Sequence, residues 1–292
     1  MKYQGYWLVL LAACLWGTTG TAQALAPPGA QPIIIGTLRI AVGGLTLLAI
    51  AVMRGGLRDG KPWPFWQTLS GAVSMAAYQL FFFAGVARAG VAVGTIVGIG
   101  STPILAGLIG FIVRGERPSQ RWAIATLLGI IGCGLLVVVG EKINADPLGI
   151  FLAICAGGSY AVFTTVSKGL IEYHSPESVM AVTFCLGACF VLPLLIPANL
   201  DWLKEPAGIL VVLHLGVITA GLAYTLFARG LRQVPVATAA SLTLGEPLTA
   251  GILGVVFLHE TLTIAGAFGI FLIFVGVVVL VTENYQPSVL PT

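Results

Sequence analysis

Charged residues are scarce in this sequence of 292 residues: Asp, Glu, Lys and Arg make up 9% of it, whereas 58% is hydrophobic. Soluble proteins are about 25% charged, and a soluble monomer of this size could not cover its surface with so few charges. A disordered chain is also excluded, because disorder needs low hydrophobicity and high charge. An integral membrane protein is the class that remains. The net charge of +3 gives no indication of a nucleic-acid-binding surface.

Cysteine is scarce too, and the sequence lacks the patterns that hold metals and nucleotides. Its five cysteines all lie in apolar runs, where the residue behaves as a small hydrophobe. Their spacing fits neither a disulfide framework nor a zinc site. A Gly-rich phosphate loop with its Lys is also missing. We therefore expect no metal, no cofactor and no ATP hydrolysis within the chain.

Long apolar runs are what the sequence does have. Crossing the hydrocarbon core of a bilayer takes about 20 apolar residues as a helix, and ten runs reach this length, most with a proline before or at the start. The sequence predicts an all-α integral membrane protein with ten transmembrane helices and no room for a soluble domain. The predicted spans are residues 6–26, 33–53, 65–87, 91–113, 120–140, 148–170, 177–197, 208–230, 236–258 and 263–282.

The loops indicate which ends face the cytoplasm, because cytoplasmic loops are enriched in Lys and Arg. With the N-terminus inside, ten of these residues fall on cytoplasmic segments, and three fall on outer loops: Arg88, Lys142 and Lys204. This bias predicts that both termini are cytoplasmic.

The second half of the chain repeats the first at a shift of 144 residues. An odd number of spans per half forces the second half to enter the membrane from the opposite side, as in many secondary transporters with a site between inverted repeats. We place the two halves at residues 1–142 and 143–292, within one membrane domain. The matching pairs are Pro103 and Pro247, Ala106 and Ala250, Gly107 and Gly251, Gly110 and Gly254, and Glu116 and Glu260.

Several motifs carry a resemblance to a known family. They are Trp16-Gly17 in span 1, Arg39 early in span 2, and the paired Pro and Glu of spans 4 and 9. Over essentially its whole length the sequence resembles the EamA-type branch of the drug/metabolite transporter superfamily, and it is most similar in length to the aromatic amino acid exporters called YddG. The resemblance implies a multi-pass exporter of the bacterial inner membrane. It also implies a central cavity lined by spans 1–4 and 6–9, with spans 5 and 10 peripheral.

Glu246 is the strongest single candidate for a substrate contact. It lies ten residues into span 9, roughly 15 Å deep at 1.5 Å per residue, where a carboxylate is costly unless it faces a cavity or a partner. Two interpretations stay open. Either Glu246 binds an ammonium group or exchanges a proton on the substrate path, or it braces a helix that Pro247 interrupts. Its repeat equivalent is Thr102, so this charge breaks the internal symmetry.

Arg39 is the other charged residue inside a span, about 9 Å from the outer end of span 2. Its planar guanidinium fits a substrate carboxylate, but a structural role at the outer interface or at a helix end is favoured. Pairing with Glu246 requires that the two side chains bridge a difference in depth.

Aromatic and polar side chains at mid-depth complete the predicted cavity. Several buried Tyr and Trp residues at one depth offer apolar area with a few hydrogen-bonding groups, as small-molecule sites do. Ordinary core packing is the alternative for each ring, and most hydroxyls are expected to bond to helix carbonyls. Gln79 is the favoured polar contact. Besides Arg39 and Glu246, the predicted cavity residues are Trp16, Tyr78, Gln79, Thr95, Ser159, Tyr160, Phe163, Tyr224, Ser241 and Thr243.

Pro103 and Pro247 lie in the middle of spans 4 and 9, where we expect both to kink their helices. The kinks either shape the packing or serve as hinges for alternating access. Glu116 and Glu260 lie at helix ends, where a capping or gating role fits better than substrate binding.

The sequence favours a secondary transporter that exports neutral or aromatic amino acids by alternating access. Its expected partners are a small-molecule substrate and the lipid bilayer, without nucleic acid, and the oligomeric state stays open, a monomer included. Alternatives are a multidrug or lipophilic-cation exporter that uses Glu246, and a nucleotide-sugar or organic-phosphate exchanger, which would need several cationic cavity residues. An intramembrane enzyme is the remote alternative, because the spans hold no Ser–His or Asp–Asp pair. We expect that the chain is not an enzyme.

Overall fold

The computed structural model describes residues 3–58, 61–89, 91–137, 146–257 and 263–282. Within these ranges all regular structure is helical and no β-strand occurs, so the all-α prediction is confirmed for this part of the chain. The predicted boundary between residues 142 and 143, and Glu260, lie outside the described residues.

The helices, labelled α1 to α10 in chain order, follow the predicted spans closely. Two labels cover composite rods: α8 contains a π-helical segment, His214–Leu222, and α9 is interrupted by a turn between Val236–Leu242 and Gly245–Phe257. A 3-10 turn, Leu192–Leu195, continues α7. The bounds are α1 Gln4–Ala24, α2 Pro32–Met53, α3 Phe65–Ala89, α4 Val91–Arg114, α5 Gln120–Val137, α6 Pro147–Ile171, α7 Pro176–Val191, α8 Pro206–Leu231, α9 Val236–Phe257 and α10 Ile264–Val281.

Within the described ranges, eight of these helices are long and apolar enough to cross a membrane: α2, α3, α4 and α6 to α10. The other two, α1 and α5, lie on the remaining predicted spans, 6–26 and 120–140.

Large apolar side chains cover the outer surface of the helices. Ile264 is 92% exposed, Ile112 69% and Phe257 66%. A soluble monomer does not leave contiguous apolar surface of this kind in water, whereas lipid tails solvate it. The surface therefore agrees with the composition in describing a multi-pass membrane protein.

Proline and capping residues fix where several helices begin. In α6, Pro147 occupies the first turn, where its missing N–H costs little, and the Asp146 carboxylate accepts a hydrogen bond from the Leu148 amide at 3.0 Å. Pro32, Pro176 and Pro206 occupy the same position in α2, α7 and α8. These local signals explain why the predicted starts agree with the observed ones.

The most extensive contacts between helices map onto one another when α1 to α5 are exchanged with α6 to α10. Under this exchange the α3–α6 contact becomes α8–α1, α4–α6 becomes α9–α1, and α2–α8 becomes α7–α3. Three further pairs map onto themselves under the exchange: α2–α7, α4–α9 and α5–α10. Helices of the first half therefore pack mainly on helices of the second half, and residues from both halves meet at the centre of the bundle.

Glycine lets the backbones of α5 and α10 touch. A Cβ atom added at Gly132 would lie 2.6 Å from the Gly269 carbonyl oxygen, and one added at Gly269 would lie 2.5 Å from the Gly132 carbonyl oxygen. Such small-residue contacts are typical of membrane helices, which lack a hydrophobic drive for association.

Candidate functional site

A cavity lies at the centre of the bundle, between α1, α2, α3, α4, α6, α8 and α9. Its volume is about 40 Å³. A single water molecule needs roughly 10–15 Å³ by this measure, and small-molecule sites enclose about 300–1,000 Å³. A substrate of amino acid size therefore fits only after helices move apart. The lining residues are Trp16, Arg39, Tyr78, Gly98, Ile99, Thr102, Tyr160, Tyr224, Thr243 and Glu246.

One guanidinium group and one carboxyl group face this cavity. Arg39 reaches it from α2 and Glu246 from α9, so the structure brings together two residues that the sequence placed at different depths. The structure describes both side chains and shows no ion pair between them. Each group can therefore take a ligand group as its partner, and the low dielectric constant of the region strengthens such a contact.

Aromatic rings form one wall of the cavity. The Trp16 ring lies 4.8 Å from the Tyr224 ring and 6.4 Å from the Tyr160 ring, and the Tyr78 ring lies 5.2 Å from the Tyr160 ring. The Tyr160 hydroxyl is buried and lies near Tyr224, but it makes no hydrogen bond of ordinary length among the described residues. The wall thus combines broad apolar faces with a buried hydroxyl that can still take a partner.

The π-helical segment of α8 holds two of the cavity residues in place. The Thr219 carbonyl accepts a hydrogen bond from Trp16 Nε1 at 2.8 Å and a longer one from Arg39 Nη2 at 3.5 Å. π-helical turns occur often at functional sites. No sequence signal identifies Thr219, because the contact is made by a backbone atom.

The two predicted kinks differ. Helix α9 is interrupted just before Pro247, which has no N–H to donate to the Thr243 carbonyl one turn earlier. That carbonyl instead accepts from the Glu246 amide at 2.9 Å, which ties the carboxylate residue to the interruption. Helix α4 continues through Pro103. The residue one turn before Pro103 is Ile99, which lines the cavity.

Five predicted cavity residues do not line the cavity. Ser159 donates to the Cys155 carbonyl at 2.8 Å, and the Ser241 hydroxyl bonds to the Thr126 hydroxyl at 2.7 Å. The Gln79 side chain packs on Gly36 of α2, where an added Cβ would lie 2.2 Å from its Nε2 atom. The others are Thr95 on α4 and Phe163, which packs behind the aromatic wall on Tyr160 and Tyr224.

Three lining residues were not predicted: Gly98, Ile99 and Thr102, all on α4. The internal repeat contains the missing signal. Ile99 and Thr102 lie 144 residues before Thr243 and Glu246, so each half supplies an equivalent pair of positions to the same cavity.

A multi-pass helical bundle with a charged and aromatic cavity at its centre defines the class of this protein, a membrane transporter. The comparison with protein families identifies which one. The chain belongs to the EamA-like transporter family, whose sequence profile matches residues 3–138 and again residues 147–282. The EamA-type identification made from the motifs is confirmed, and the similarity to YddG stays a prediction.

Relatives cover nearly the whole chain. The sequence is 41% identical over 272 residues to the protein named "Uncharacterized transporter YwfM" of Bacillus subtilis (strain 168), which covers 93% of this chain and 92% of that one. It is 24% identical over 288 residues to the "Uncharacterized inner membrane transporter YicL" of Salmonella typhimurium, with 94% of each chain covered. A solved crystal structure with 22% identity superposes with a TM-score of 0.83 over 96% of both chains, which shows a shared fold.

Proposed function

We propose that the protein exports neutral amino acids, aromatic ones foremost, through the central cavity. The observation that carries this proposal is the presence of Arg39 and Glu246 in one cavity, unpaired with each other and beside Trp16 and three tyrosines. A zwitterion needs one group of each sign and a place for its side chain, and these residues supply all three.

The chemistry assigns a role to each group. The Arg39 guanidinium binds the substrate carboxylate with parallel N–H donors, and the Glu246 carboxylate accepts from the ammonium group. An aromatic side chain stacks against the rings of Trp16 and Tyr224, in the offset or edge geometries that such rings prefer. The present volume of the cavity admits no amino acid, so the cavity must open for substrate to enter. In this proposal it opens to one side of the membrane at a time, as in other transporters with inverted repeats.

The other transport classes fit less well. A nucleotide sugar or organic phosphate would need several cations, and Arg39 is the one cationic side chain among the lining residues that the structure describes. A lipophilic cation would use Glu246 and the aromatic wall but would be repelled by Arg39. Replacing Arg39 therefore distinguishes an amino acid exporter, which would lose flux, from a lipophilic-cation exporter, which would not.

The proposed topology has ten spans, two inverted halves and both termini in the cytoplasm of a bacterium, with the protein in the inner membrane. Three observations support it. The family profile matches two segments offset by 144 residues, the shift at which the sequence repeats. The most extensive helix contacts map onto one another when the halves are exchanged. Lys and Arg are concentrated on the side assigned to the cytoplasm.

Flux measurements in liposomes test the proposal. Purified protein is reconstituted, and efflux of labelled phenylalanine, leucine and lysine is followed with and without protein. We expect saturable flux of phenylalanine above leucine, and little flux of lysine. Absence of protein-dependent flux for every neutral amino acid would refute the proposal.

Charge-neutral variants test the assigned roles. A hydrogen bond to a charged group contributes about 1.5–3 kcal/mol, so Glu246→Gln and Arg39→Gln should each lower phenylalanine flux at low substrate roughly 10- to 100-fold. The matched controls are Glu205→Gln and Arg88→Gln, at exposed positions. If Glu246→Gln left both the flux and its pH dependence unchanged, Glu246 would have neither a binding nor a proton-transfer role. If Arg39→Gln transported a lipophilic cation faster, the multidrug alternative would gain support.

A further inference from the structure

One side of the cavity is sealed by the packing of α4 on α9. Ala106 from α4, Ala161 from α6, and Val236 and Ala240 from α9 form a cluster in which all four side chains are fully buried. The cluster lies between the cavity and the molecular end that carries Arg114 and the start of α9. In the proposed topology this end is cytoplasmic.

Polar contacts at the rim of this cluster converge on Glu116. Its Oε2 atom accepts a hydrogen bond from the Val236 amide at 2.7 Å, which satisfies one of the free N–H groups at the start of α9. Its Oε1 atom lies 3.3 Å from Arg114 Nε and 3.8 Å from Lys168 Nζ. The Lys168 ammonium also donates to the Val234 carbonyl. A single carboxylate therefore joins the ends of α4 and α6 to the start of α9.

The backbone at the end of α4 directs Glu116 toward α9. Gly115 has a left-handed φ of 65°, a conformation that ends helices and that glycine adopts without strain. The Glu116 amide then donates to the Gly110 carbonyl at 3.2 Å, which closes the turn. Glu116 was expected to cap or gate, and the structure shows that it caps α9, a different helix from its own.

The opposite side of the cavity has no comparable seal between these helices. The first segment of α9, Val236–Leu242, packs on α4. If the two halves were exchanged, this contact would become a contact between α4 and the second segment of α9, Gly245–Phe257. In the described part of both helices, only the first segment packs extensively on α4. In the described part of the chain, the seal between α4 and α9 is thus present at the Glu116 end of the cavity and lacks a counterpart at the other end.

We infer that Glu116 is the latch of the cytoplasmic gate. While its carboxylate holds the Val236 amide and the Lys168 ammonium, α4 and α9 stay together and the cavity is shut toward the cytoplasm. Substrate enters from the cytoplasm when these contacts break and the alanine cluster separates. This inference rests on the proposed topology and alternating access, but not on the identity of the substrate.

Accessibility of the cavity tests the latch without any substrate. Thr243→Cys is placed in a background lacking the five native cysteines, and an impermeant maleimide is applied to inverted and right-side-out vesicles. The Thr243→Cys protein should label slowly from the cytoplasmic side, and adding Glu116→Ala should speed that labelling. Glu172→Ala is the matched control, because Glu172 pairs with Arg114 and leaves the bond to Val236 intact. Equal cytoplasmic labelling with and without Glu116→Ala would overturn the inference.

A cross-link provides the second measurement. A Cβ atom at position 110 would lie 3.7 Å from the Val236 Cβ atom, within the usual range for a disulfide. Oxidation of Gly110→Cys/Val236→Cys should abolish cytoplasmic labelling of Thr243→Cys in the Glu116→Ala protein, and a reductant should restore it. Each single cysteine variant should be insensitive to oxidation. Persistent labelling after complete cross-linking would show that the cavity opens without separation of α4 from α9, and would refute the latch.

Discussion

Replacing Gly17 by alanine should push α9 away from α1 at the point where Glu246 enters the cavity. A Cβ atom at Gly17 would lie 2.5 Å from the Thr249 Cβ atom and 2.7 Å from the Glu246 carbonyl oxygen. Carbon atoms pack best at about 3.5–4.0 Å, so the neighbouring helix must retreat by about 1–1.5 Å. Gly20 is the matched control: it lies on the same helix, and an added Cβ meets nothing within 4 Å.

The two substitutions should have opposite effects on stability. Overpacking of a well-packed interface costs about 1–3 kcal/mol, so Gly17→Ala should destabilise the protein by that amount. Gly20→Ala introduces no clash and should stabilise helix α1 by about 0.5–1 kcal/mol. The expected difference between the variants is therefore about 1.5–4 kcal/mol in the free energy of unfolding.

Unfolding in mixed detergent micelles, followed by circular dichroism, measures this difference. Phenylalanine flux per folded protein in liposomes then shows whether displacement of Glu246 also impairs transport; we expect a loss for Gly17→Ala and normal flux for Gly20→Ala. Equal stability and equal flux for the two variants would refute the reasoning, because it would show that α1 and α9 do not approach as closely as described.

Three further predictions concern packing, buried polarity and charge. Phe163→Ala, behind the aromatic wall, should destabilise by about 3–5 kcal/mol, measured by the same unfolding assay, and wild-type stability would contradict its core role. Ser241→Ala leaves the buried Thr126 hydroxyl without its hydrogen-bond partner and should lower the free energy of unfolding by about 1–3 kcal/mol. Adding Thr126→Val should recover part of this loss in a double-mutant cycle. Strictly additive losses would argue against the hydrogen bond. The Lys204 ammonium beside Asp201 lowers the pKa of that carboxyl, so any stability from the pair is present above the ordinary Asp pKa and lost as the pH falls through the lowered value. Both side chains lie in water, so Asp201→Asn should leave the unfolding midpoint unchanged between about pH 5 and 8, and a clear shift would contradict this.

The sequence predicts the helices well because the bilayer simplifies the problem. A span must be apolar over about 20 residues, and proline at the first turn marks the starts, as at Pro147 and Pro176. Charge inside a span is so costly that Arg39 and Glu246 stand out without any structure. Both line the cavity.

The features of the site that the sequence does not predict are of two kinds. One is the direction in which a side chain points around its helix axis, and the other is a contact made by a backbone atom. Ser159 and Tyr160 are neighbours on α6, so they point about 100° apart around the helix, and only Tyr160 lines the cavity. Depth alone cannot distinguish them, because the apolar pattern of a membrane helix gives little information on which face is inside. The contact made by the Thr219 carbonyl cannot be predicted from the sequence either, because every residue has a backbone carbonyl.

The interleaving of the two halves has a consequence for biogenesis. The hydrogen bond between Trp16 and Thr219 joins residues that are 203 positions apart, and at about 5–20 residues per second a ribosome needs roughly 10–40 s to synthesise the intervening chain. During that interval α1 is in the membrane without α8 and α9, and the indole N–H and the close-packing face around Gly17 have not met their partners. The contacts that α1 makes with α8 and α9 therefore form late, only after most of the second half of the chain has been synthesised.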